Sequence, residues 1–108
     1  MIPDPSPPFD VSMVGSAPQQ LAYLLTRSPT LGLRAEVDQL LARIMEQLRL
    51  QPRAWGDPIR NFPSLKTVQY RGQAGFLLAY YSVHDRLPWV FLSSVTTPKG
   101  HPLSRGDT

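Results

Sequence analysis

The side chains able to do chemistry lie mostly in the second half of the chain. Arg71 closes the stretch "LKTVQYR", Lys66 opens it, Arg86 sits in "HDRLP", and Lys99 and His101 lie in the tail "TTPKGHPLSRGDT". Guanidinium and ammonium groups bind phosphate or carboxylate, and a histidine exchanges a proton near neutrality. Tyr80 and Tyr81 are neighbours in an extended run, so they point to opposite faces; one belongs in the core and the other offers a phenol. Other site chemistries find no residues. His84 and His101 are the two histidines, too far apart in sequence to read as a metal pair, and cysteine is absent. No paired carboxylates, glycine-rich phosphate loop or serine–histidine–acid trio can be assembled. The pair "HD" at residues 84–85 reads as a turn whose aspartate bonds its own backbone. Trp55 and Trp89 read as packing anchors.

The elements that must position these residues follow from pattern and punctuation. At 108 residues the chain reads as one domain, and no run reaches the roughly 18 apolar residues of a membrane span. Lack of cysteine fits a reducing cytoplasm. Charge is uneven: the formal total is +3, but residues 1–48 carry three bases against five acids and residues 49–108 carry eight against three. A basic half attracts phosphate or an acidic peptide.

"MIPDPSPPFD" has four prolines in ten residues and reads as a flexible arm over residues 1–8. In "FDVSMV", Phe9, Val11 and Met13 alternate with polar residues, predicting a short strand with one buried face. Ser16 and Gln19 have the spacing of a capping box at the start of a first helix, with Pro18 in its first turn. Leu33, Val37, Leu40, Leu41, Ile44, Met45 and Leu48 fall on one stripe of a second helix, which Pro52 stops. Their burial is worth on the order of 10–20 kcal/mol before entropy. "QPRAWGDPIRNFPS" reads as a loop pinned by Trp55 and Phe62. Three strands follow, joined by hairpin-length turns, and "FLLAYYSV", apolar on both faces, reads as the central one. The body is expected over residues 9–103, with a loose tail over 104–108. The expected class is α+β: two helices on one face of a small twisted, mostly antiparallel sheet, in the order β-α-α-β-β-β.

That order resembles the RelE/ParE superfamily of toxins from bacterial toxin–antitoxin pairs. The likeness is carried by "PQQLAYLL…LRAEVDQLLARIMEQLRLQP", "PRAWGDPIRNFPSL", "YRG", "AYYSV" and "WVFLSSV" with its basic tail. It implies a small cytoplasmic toxin, held inactive by an antitoxin that folds on binding. It also implies a target: DNA gyrase, or the ribosome, where messenger RNA is cut in the decoding site. RNA-cleaving members use a basic cluster that stabilises charge growing on the scissile phosphate. Here Leu77 or Leu78 stands where the family carries arginine in its middle strand. Thr96, Thr97 and Pro98 stand where arginine follows its last strand. Arg71 matches a basic position of the family, and Lys99 and His101 lie a few residues late. The resemblance therefore gives Arg71, Lys99 and His101 as the catalytic candidates; Lys66, Tyr81 and Arg86 read from their own residue types as further binding positions, and no cofactor is expected. A leucine cannot stabilise a pentavalent phosphate, so a protein acting by binding is the first expectation. A ribosome-dependent endoribonuclease is the second, and a non-toxic α+β interaction module the third.

Overall fold

The apolar stripe of residues 33–48 makes α2 (Arg34–Leu50) in the computed structural model, which describes residues 8–103. The proline-rich arm, apart from Pro8, and the tail over 104–108 lie outside the described residues. Val37, Leu40, Ile44 and Leu48 are buried, with Leu33, Leu41 and Met45 at the margin of the same core. On the outer side Arg34 and Asp38 pair at 3.0 Å across one helical turn, an exposed contact worth about 0.5 kcal/mol or less.

Before it comes α1 (Ala17–Arg27), which buries Ala17 and Leu24. The expected capping box is absent. Ser16 has helical dihedrals and its side chain caps nothing, while its carbonyl accepts the Gln20 amide at 3.0 Å.

Both helices lie on one face of a five-stranded sheet ordered β1-β5-β4-β3-β2. β1 (Asp10–Met13) runs parallel to β5 (Trp89–Thr96), and all other pairs are antiparallel. β4 (Leu77–His84) is the middle strand, as its two-sided apolar sequence predicts. Phe9 and Val11 pack against the core as expected, but Met13 is 49% exposed because β1 ends there. Gly15, at φ +59°, then turns the chain into α1.

Residues 51–65 differ most from the sequence reading. Instead of a loop they form a short helix α3 (Pro52–Trp55), the edge strand β2 (Asp57–Phe62) and a 3-10 turn (Pro63–Leu65) before β3 (Thr67–Ala74). Pro58 is tolerated because β2 is an edge strand, and its ladder with β3 slips between Pro58 and Arg60. After β5 the chain folds back, and Leu103 is buried beside α1. No helix among the described residues is long and apolar enough to cross a membrane.

Candidate functional site

Alternation along β4 sorts its side chains. Leu77, Ala79, Tyr81 and Val83 are buried under the helices, and Leu78, Tyr80, Ser82 and His84 face away and are half-buried. Directly paired residues share a face, so the register extends the second set into rows across the sheet. Phe62, Thr67, His84 and Trp89 line one end, with the His84 and Trp89 rings edge-on at 5.4 Å. Arg60, Gln69, Ser82, Phe91 and Ser12 form the next row, with the Arg60 guanidinium lying over Phe62. Asp57, Arg71, Tyr80 and Ser94 form the third. The helices leave this face uncovered.

Arg71 lies in the middle of that open face, exposed, between Asp57 on β2 and Tyr80 on β4. Among the described residues Arg34–Asp38 is the one ion pair, so Arg71 is not neutralised by Asp57. A free guanidinium beside a phenol binds a phosphate or a carboxylate and orients it by hydrogen bonds.

A second cluster, under the helices, fixes where β2 begins. The Tyr81 hydroxyl donates to the Pro52 carbonyl at 2.6 Å and accepts the Gly56 amide at 3.0 Å, bracketing α3. Its ring stacks between Trp55 at 5.7 Å and Tyr70 at 5.5 Å. Two glycines permit this approach. A Cβ on Gly72 would lie 2.4 Å from the Trp55 ring, and one on Gly56 would lie 2.5 Å from the Tyr81 hydroxyl. Burial pushes the Tyr81 phenol up to about 12, against the opposing Gly56 hydrogen bond. Tyr81 is therefore corrected from binding candidate to packing residue: it is 0% exposed and both hydroxyl contacts are internal. The phenol that faces out is Tyr80.

The remaining candidates fall in separate places. Arg71 lies three ladder pairs from the β3–β4 turn. His101 is half-buried and stacked on Phe76 in that turn, at 4.4 Å, about four residues or ~13 Å along the strand from Arg71. Its Nδ1 accepts the Leu103 amide at 3.0 Å, so a neutral ring carries its proton on Nε2. Lys99 is exposed in the preceding turn. No hydrogen bond, ion pair or ring contact joins Arg71, Lys99 and His101 among the described residues. Lys66 and Arg86 lie at the opposite end of the strands, in turns joined by a backbone bond. There the Lys66 carbonyl accepts the Asp85 amide at 2.8 Å. Both side chains are exposed, and Lys66 is left-handed at φ +55°. In that turn it is His84, not Asp85, that bonds the backbone, its Nδ1 accepting the amides of Arg86 and Leu87. Trp89 is a correction as well: it is 43% exposed on the open face and anchors nothing in the core. Among the described residues no three histidine, aspartate or glutamate side chains gather to hold a metal.

Sequence reasoning did not find Asp57, Arg60 or Phe91 as parts of one face. Asp57 and Arg60 depend on β2, which Pro58, the flanking Pro52 and Pro63, and a bulge conceal. Phe91 lies in "WVFLSSV", which reads as mostly apolar and then polar and does not report which of its apolar residues faces out. No protein-family model matches the chain, and no curated protein or solved structure matches it significantly.

Proposed function

We propose that this chain is a toxin-like protein of the RelE/ParE type that acts in the cytoplasm by binding, engaging an antitoxin and a cellular target, DNA gyrase or the ribosome. Support comes from the resemblance in sequence together with the helix pair on one sheet face, the parallel first and last strands and the uncovered opposite face. The observation that carries binding over cleavage is the separation of Arg71 from His101 and Lys99. Phosphodiester cleavage needs charge stabilisation and proton transfer at one phosphate. Arg71 and Tyr80 lie side by side and can grip an anionic partner, whereas the residues offered for proton transfer stand at the far turn.

Induced expression in a bacterial host tests this reading. Growth arrest with intact messenger RNA is the expected result. Arrest with cut messenger RNA, relieved by Arg71→Ala with His101→Ala, would establish the endoribonuclease instead. Unimpeded growth would leave a non-toxic interaction module.

A further inference from the structure

The turn between β4 and β5 is held by an imidazole. His84, the last residue of β4, accepts the Arg86 amide at 3.1 Å and the Leu87 amide at 3.0 Å on the same Nδ1. Among the described residues neither amide has another acceptor. A ring nitrogen that accepts two amides carries no proton, so the closed turn requires a neutral imidazole protonated on Nε2. The same turn ties several segments together. The Asp85 amide bonds the Lys66 carbonyl at 2.8 Å, in the turn before β3, and the Pro88 carbonyl accepts the Asp10 amide at 2.7 Å, where β1 begins. The Leu87 carbonyl accepts the Trp89 amide at 2.8 Å, where β5 begins. From α3, the Arg53 guanidinium donates to the His84 carbonyl at 2.6 Å.

The charged groups of these segments do not prepare a place for an imidazolium. Asp85 and Arg86 belong to the turn itself, Lys66 to the turn bonded to it, Arg53 to α3 and Asp10 to β1. The strands beside the ring bring uncharged neighbours, Thr67 on β3 and the Trp89 ring on β5. Among the described residues neither Asp10 nor Asp85 pairs with His84, and Arg34–Asp38 is the one ion pair. A second proton, placed on Nδ1, would remove the acceptor, set one N–H against two others and find no carboxylate to receive it. The ring is half-buried and therefore within reach of solvent protons.

We propose that His84 is an acid-sensitive latch on the turn over residues 85–88. The neutral ring holds the turn closed. Protonation at Nδ1 frees the Arg86 and Leu87 amides and loosens the bonds the turn makes to β1 and to the Lys66 turn. Only the neutral ring makes the latch bonds, so they are complete at the alkaline end. They are lost as pH falls through the range of about 8 to 5, where histidines take up their second proton. The opening is local, because Tyr81 and Val83 in the same strand are buried in the core and do not depend on the ring. The latch works whatever the open face binds and does not rest on the toxin reading.

The test follows ring-nitrogen and amide resonances of the isotope-labelled full chain between about pH 8 and about pH 5. At the upper end His84 Nδ1 is expected to be the unprotonated nitrogen, with the Arg86 and Leu87 amides protected from exchange. At the lower end their protection factors, which already allow for the intrinsic effect of pH on exchange, fall several-fold while those of Tyr81 and Val83 hold. His84→Asn keeps an acceptor oxygen but does not titrate, so its turn stays protected throughout. His84→Ala has no acceptor and is open even at the upper end. Protection of Arg86 and Leu87 that is unchanged across the range would overturn the proposal. So would a ring protonated on Nδ1 at the upper end, or His84→Asn losing protection as the native chain does. Simultaneous loss at Tyr81 and Val83 would overturn it too, since that is unfolding of the whole chain.

Discussion

Tyr81 and Tyr80 are neighbours with opposite fates, and the difference decides what each can do. The buried Tyr81 hydroxyl satisfies a carbonyl and an amide at the two ends of α3. Tyr81→Phe strands both groups and is expected to cost about 1–3 kcal/mol in urea unfolding. The same site sets an alkaline limit. The phenol is pushed up to about 12 in the folded chain from an ordinary 10, so the unfolded chain loses its proton first. Stability conferred by the neutral phenol is complete below pH 10 and declines as pH rises towards 12. Unfolding measured across that range should show the decline in the native chain and a shallower one in Tyr81→Phe. Alternation told that the two tyrosines part company, and their companions held the rest of the answer: Tyr81 shares its face with Leu77, Ala79 and Val83, and Tyr80 with Ser82 and His84. The company each tyrosine keeps along the strand was therefore a usable signal.

Among the elements, α2 was legible because its apolar spacing has only one helical solution that buries the stripe. Ile44→Ala is expected to lose about 2–5 kcal/mol, since Ile44 is fully enclosed between helix and sheet. Leu50→Ala, in the same helix but 63% exposed, should change stability by less than about 0.5 kcal/mol. Chemical denaturation of the two variants compares them directly. β4 was legible for a similar reason, its two-sided apolar run needing neighbours on both sides. β2 was not. Its proline and polar residues are those of a loop, and it is held as a strand by tertiary anchoring: Tyr81 and Trp55 fix Gly56 so that Asp57 arrives opposite Arg71. The capping box failed on backbone geometry, which residue types do not report, since Ser16 is helical and its hydroxyl bonds nothing at the cap.

At the scale of the whole molecule, two helices cover one side of the sheet and leave the other bare, with Arg71 and Tyr80 at its middle and Arg60, Phe62, Phe91 and Trp89 around them. That grouping was only partly visible beforehand. Arg71 stood out as a basic residue at a strand end, but its neighbours come from β2, β4 and β5 and meet only through the register. Scattered placement of Lys99, His101, Lys66 and Arg86 has the same origin, because closeness in sequence or kinship in residue type does not fix which end of a strand a loop visits. The open face is the surface proposed to engage the target. Growth after induced expression, with Arg71→Glu and Leu50→Glu compared at equal soluble level, tests it most directly. The native chain and Leu50→Glu, altered away from the face, should arrest growth, and Arg71→Glu should grow normally. Arrest by Arg71→Glu as complete as that of the native chain would contradict the account.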